Sequence, residues 1–221
     1  MLTKFFNKIV SGEILTDNLK LGLMPELDLW VLDNAIKAAE KFIIINPKLK
    51  ISINISPDTI LLKNFASIVI ERINNSSLSF HHVELEFTEE LLILDEDKVA
   101  KIMTELQTLG ISIALDDFGT GYSSLAYLSR FEFDKVKIDR SLVLNIDSQR
   151  GKELFKIAVQ LGKITQADIV VEGVEKQQEL DFIASLGVRY IQGFYFYKPM
   201  AETELLQRGL LKPQQCEVAD N

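Results

Sequence analysis

The chain has 221 residues, 47% of them hydrophobic, and a net charge of −8 at pH 7. That apolar content sustains one sizeable core and excludes a disordered chain, and with no long Lys/Arg run an extended nucleic-acid surface is excluded too, though a small anion neutralised by metals or a local lysine remains compatible. The single cysteine, Cys216, permits no intrachain disulfide, and without a signal-peptide pattern or an apolar window near the ~18 residues of a membrane span the expectation is a soluble cytoplasmic protein.

In chain order, residues 1–18 (MLTKFFNKIVSGEILTDN) form a divergent segment that reads equally as a short helix or a hairpin. A barrel domain is expected over 19–207, followed by a polar tail over 208–221. A helix is predicted over 26–45, with Leu27, Trp30, Val31 and Ala35 at helical spacing. After it, six short apolar strands alternate with helices. The strands are predicted at 50–54, 82–87, 111–116, 134–139, 168–173 and 189–194, and the helices near 59–73, 96–109, 151–166 and 176–186. Gly110 and Gly187 directly follow two of these helices and suit the left-handed position at a helix C-terminus. Such alternation predicts a parallel sheet with right-handed crossovers, and this length favours a (β/α) barrel of TIM type. An open doubly wound sheet is the alternative, although no G-x-G-x-x-G opens a helix after the first strand. A closed eight-stranded barrel needs two strands beyond these six, and they would have to precede residue 50.

The predicted strands share one pattern: an apolar body and a polar C-terminal end. The ends carry Asn54, then Glu86 with Glu89 after it, then Asp116 and Asp117, then Lys137 and Asp139, then Glu172 with Glu175, then Gln192. In a barrel these ends converge on one mouth. An Asn or Asp there can simply cap the next helix. Glu and Lys inside strands need partners, because burial of an unpaired charge is costly. Lys137, between Val136 and Ile138, needs an anion if it faces inward. Asn54, Glu86, Asp116, Asp117 and Glu172 form an all-oxygen donor set, since His81 and His82 sit at the entry end of their strand. Hard oxygen donors suit Mg²⁺, Mn²⁺ or Ca²⁺ rather than zinc. Two such ions about 3.5–4 Å apart would neutralise the carboxylates, as in enzymes that cleave phosphodiesters. Gly119-Thr120-Gly121 follows the aspartates as a turn that permits positive φ and close approach of a ligand.

These residues carry a resemblance. NISP (54–57), EFTE (86–89), DDFGTGYSSL (116–125), KVKIDRSLV (135–143), EGVE (172–175) and QGFYFYKPM (192–200) stand in the order and near the spacing of the EAL family of bacterial cyclic-di-GMP phosphodiesterases. The resemblance covers roughly 20–205 and implies a TIM-like barrel with one antiparallel strand. It also implies hydrolysis of cyclic-di-GMP to pGpG with two Mg²⁺ or Mn²⁺ ions, and often a homodimer formed through the helical face near the Gly-Thr-Gly loop. On this reading Asn54, Glu86, Asp116, Asp117 and Glu172 are metal ligands. Lys137 handles the attacking water, Gln192 coordinates water or metal, and Glu175 supports the lysine or the metals. Glu89 anchors the Gly119-Thr120-Gly121 loop, while Phe194, Tyr195 and Pro199 line the guanine region, where core packing would explain the aromatics equally well. The family's signature Glu-Ala-Leu, and the basic residue after it, do not occur here; family spacing places that glutamate before Met1, and the one local candidate to replace it, Glu13 of GEIL (12–15), stands too close to the next motif for family spacing and reads otherwise as a plain surface glutamate. Three expectations follow: a phosphodiesterase impaired by the missing glutamate, an inactive cyclic-di-GMP-binding or protein-interaction module, or a fragment whose missing strands are supplied upstream in a longer gene product or by a partner chain; an upstream sensor domain or a partner protein is expected besides.

Overall fold

The computed structural model describes residues 22–93, 95–120, 128 and 130–211; Glu13, Gly121, Cys216 and the 1–18 segment lie outside them. Six strands are described: β1 (Ile51–Asn54), β2 (Val83–Thr88), β3 (Ser112–Phe118), β4 (Lys135–Ile138), β5 (Asp168–Val171) and β6 (Tyr190–Ile191). All neighbouring pairs are parallel, and the sheet order is β1-β2-β3-β4-β5-β6. A doubly wound sheet would reverse its order at a switch point. The unreversed order is instead the winding of a (β/α) barrel. The antiparallel strand that the resemblance implied is not among the described strands.

Helices link and cover the strands: α1 (Met24–Ile43), α2 (Pro57–Ile60), α3 (Phe65–Asn74), α4 (Glu96–Thr108), α5 (Arg140–Val143), α6 (Gln149–Ile164), α7 (Gln177–Ser185) and α8 (Glu202–Gln207). In α1, Leu32, Ala35, Ile36, Ala39 and Phe42 recur every three or four residues on the buried side. Asp95 caps α4 by accepting from the Lys98 amide at 3.2 Å, and Ser148 caps α6 by accepting from Gly151 at 3.0 Å. Gly110 and Gly187 adopt φ of 102° and 76° after α4 and α7, as their positions required. The helix expected over 59–73 is two helices. Pro57 opens a single turn, the chain bends at 61–64, and α3 restarts at Phe65. Lys98 stabilises the bend by donating to the Leu61 carbonyl at 2.7 Å. No described helix is long and apolar enough to cross a membrane.

The strands alternate with period two. Ile51, Ile53, Val83, Leu85, Ile113, Leu115, Val136, Ile138, Ile169 and Val171 join the helices in one apolar core. Ser52, Glu84, Glu86, Ser112 and Lys137 are buried as well, at alternate positions of the same strands. The apolar core therefore lies between sheet and helices, and the polar residues line the other face, the inside of the barrel curve.

Candidate active site

Register brings the polar ends level. Asn54 pairs with Glu86, and Thr88 with Asp116. Between Leu115 and Phe118 the β3–β4 register shifts, and Asp117 sits at φ 55°, left-handed for a residue with a side chain. In a regular strand two consecutive side chains point to opposite faces. This irregularity breaks the alternation at the aspartate pair, at the cost of backbone strain of about 1–3 kcal/mol.

Lys137 is the centre of the site. Its ammonium, 2% exposed, donates to Glu86 Oε2 at 2.7 Å, Asp116 Oδ1 at 2.9 Å and Glu172 Oε1 at 2.8 Å. Burial pushes its pKa down, but the carboxylates of Glu86, Asp116 and Glu172 outweigh that and hold the ammonium above the ordinary lysine range. Glu86 goes the other way: burial raises its carboxyl to about 7 against the pull of Lys137. Asp117 rises to about 6 through desolvation first, then the carboxylates of Asp116, Asp139 and Glu172. One cation does not neutralise this set, so protons remain on it near neutral pH.

Gln192, just after β6, donates its side-chain amide to Glu172 Oε1. Glu175, expected to support the lysine or the metals, is paired with Arg140, whose Nη2 stands 2.7 Å from Glu175 Oε1 and links the 172–175 loop to α5. Glu89, 2% exposed, accepts from the Gly119 amide at 2.8 Å, the contact a loop anchor requires. Gly119 has φ 101°, and Thr120 closes the turn by donating its hydroxyl to the Asp117 carbonyl at 3.0 Å. Past β6, Phe194, Tyr195, Phe196 and Tyr197 are all exposed, so core packing does not explain this aromatic run. Phe194 and Pro199 line a cavity of about 100 Å³ with Gln192, Tyr197 and Lys198. Tyr195 does not line it; its hydroxyl donates to Gln177 of α7. His82 is held near the strand's entry, within hydrogen-bonding distance of the Pro47 carbonyl at 3.0 Å, away from the carboxylates.

A second polar layer lies one pleat below. Glu84 accepts from Ser52 Oγ at 2.7 Å and from Lys135 Nζ at 2.5 Å. Two Glu–Lys pairs, 84–135 and 86–137, thus stack along the same two strands. Sequence reasoning missed the lower pair; the alternations Glu84-Leu85-Glu86 and Lys135-Val136-Lys137 carried its signal.

Among the described residues, no group of three or more His, Cys, Asp or Glu is already arranged as a metal cage. The pieces nevertheless fit a divalent cation. Among the described residues, the buried Glu86 Oε1 has no hydrogen-bond partner. The donors around it are hard oxygens, and their charge exceeds that of Lys137.

The EAL domain family profile matches residues 9–199. The cyclic di-GMP phosphodiesterase NbdA of Pseudomonas aeruginosa is 32% identical over 181 residues, which are 81% of this chain and 23% of that protein. The solved structure of the PaMucR phosphodiesterase in complex with c-di-GMP superposes with a TM-score of 0.83 at 32% identity, covering 88% of this chain and 79% of that one. A manganese/cy-diGMP complex of Klebsiella pneumoniae BlrP1 superposes at 0.72 with 30% identity, covering 79% of this chain and 45% of that one. The chain spans about a quarter of the length of the curated relatives it matches. The barrel winding, the matched residues and these likenesses agree: this chain belongs to the EAL domain family.

Proposed function

We propose that this chain is a metal-dependent phosphodiesterase-family domain acting on cyclic-di-GMP and hydrolysing it to pGpG. The observation that carries the reading is the buried cluster of Lys137 with Glu86, Asp116 and Glu172, with Asp117 beside it and one oxygen of Glu86 without a partner among the described residues. Asn54, Glu86, Asp116, Asp117 and Glu172 would hold Mg²⁺ or Mn²⁺. When bound there, a divalent cation would supply Lewis-acid charge and a lowered pKa for a coordinated water. Lys137 orients that water and stabilises charge on the phosphate, while Gln192 fixes Glu172 for its part. Water adds to one phosphorus, the P–O3′ bond breaks, and the 3′ oxygen takes a proton, which leaves a linear dinucleotide with a 5′-phosphate. Phe194 and Pro199 offer apolar surface beside the mouth for a guanine.

No Glu-Ala-Leu occurs in residues 1–221, so turnover by this stretch alone is expected to be reduced. A second reading, a cyclic-di-GMP-binding module without catalysis, is favoured by one feature: residues 1–221 contain no Glu-Ala-Leu to supply the family's remaining carboxylate ligand. A homodimer in the cytoplasm, an upstream sensor domain and a partner protein belong to the same proposal. The test is incubation with cyclic-di-GMP and Mn²⁺. Appearance of pGpG supports the enzyme, whereas retained binding without pGpG supports the module.

A further inference from the structure

We infer that Asp28, on α1 and distant in sequence from every strand end, is a positioning residue for Asn54. This rests on the proposed metal site, in which Asn54 is a ligand. Asp28 is 7% exposed, and its Oδ2 accepts two hydrogen bonds, from the Ser56 amide at 2.7 Å and from Thr59 Oγ1 at 2.6 Å. Ser56 Oγ and Thr59 Oγ1 lie 2.9 Å apart and close a triangle. Ser56 is the N-cap of α2, yet its own side chain caps nothing. The acceptor that this helix start needs is supplied from α1 instead. Between Asn54 and this turn, the Ile55 amide donates to the Glu86 carbonyl at 2.9 Å, the last bond of the β1–β2 ladder. Asn54 therefore sits at the end of the ladder, two residues before a turn fastened by Asp28. If the fastening is lost, the turn from Ser56 onward loosens, the ladder end at Asn54 and Ile55 frays with it, and Asn54 loses its fixed place. A carboxylate buried on an otherwise apolar helix face costs stability unless its partners repay it. Its placement here is explained by the turn it holds.

The experiment uses the 221-residue chain and the variants Asp28→Asn and Asp28→Ala. Because a single oxygen takes both hydrogen bonds, the amide of Asp28→Asn can replace it, whereas alanine cannot. Two readouts are taken: amide hydrogen exchange resolved over 54–60, and Mn²⁺ uptake followed by the electron paramagnetic resonance of free Mn²⁺. Asp28→Ala is expected to accelerate exchange at 54–60 while the remaining strands keep their protection, and to weaken Mn²⁺ binding roughly 10-fold. Asp28→Asn is expected to restore both. Unchanged exchange at 54–60 in Asp28→Ala overturns the inference, as does exchange raised uniformly over the whole chain, which marks plain destabilisation. So does unchanged Mn²⁺ affinity where wild type binds the ion. If wild type takes up no Mn²⁺, the proposed metal site fails, and the exchange at 54–60 still decides whether Asp28 holds the turn.

Discussion

Lys137 and Glu86 have opposite roles in the balance between stability and function. Replacing Lys137 with methionine leaves Glu86 buried beside Asp116 and Glu172 with no cation, and is expected to cost about 3–5 kcal/mol in a urea unfolding curve. Glu86→Gln removes a charge that burial already disfavours. It is expected to leave stability unchanged or raised by ~1 kcal/mol, while abolishing Mn²⁺ uptake by titration. The raised carboxyls also fix a pH dependence. Glu86 at about 7 and Asp117 at about 6 bind more protons folded than unfolded, so metal-free stability falls as pH rises from near 4.5 towards 7. Metal and protons compete for the same oxygens, so Mn²⁺ affinity is expected to rise over that window; denaturation and titration at pH 5, 6 and 7 check both signs. The site residues were legible because polar groups at strand ends are expensive unless they converge. Glu175's bond to Arg140 was not legible, because the choice between two cations at one mouth depends on where α5 starts.

At the level of elements, strand and helix positions followed from apolar periodicity, and most boundaries fell within two or three residues of the observed ones. The exceptions have local causes. The break between α2 and α3 depends on Lys98 reaching back from α4 to the Leu61 carbonyl, a tertiary contact that no local pattern reveals. β6 ends at Ile191, because Gly193 brings the chain against the 172–175 loop; a Cβ on Gly193 would stand 2.0 Å from the Val174 carbonyl oxygen. Gly193→Ala is therefore expected to cost at least about 1–3 kcal/mol by thermal denaturation and to displace Gln192 from Glu172. Two residues that hold loops at the mouth, Asp28 and Glu179, lie inside amphipathic helices and look like ordinary helix surface in the sequence. Glu179 accepts from the amides of Glu175 and Lys176 at 2.8 and 3.0 Å, and these bonds hold its carboxyl below the usual range despite desolvation.

The whole molecule follows a single rule of alternation. Apolar residues face the helices, polar ones face the axis, and the parallel order is not reversed among the six described strands, so their ends point to one mouth. That architecture was readable from the spacing of strands and helices. The stacked Glu84–Lys135 pair was not, because attention to strand ends passes over strand interiors. The central claim is that these converging ends hydrolyse cyclic-di-GMP, and it is tested most directly by incubating the purified chain with cyclic-di-GMP and Mn²⁺ and resolving the products by chromatography. The account predicts slow formation of pGpG that stops on chelation and in Asp116→Asn; cyclic-di-GMP recovered intact at saturating Mn²⁺ would contradict it.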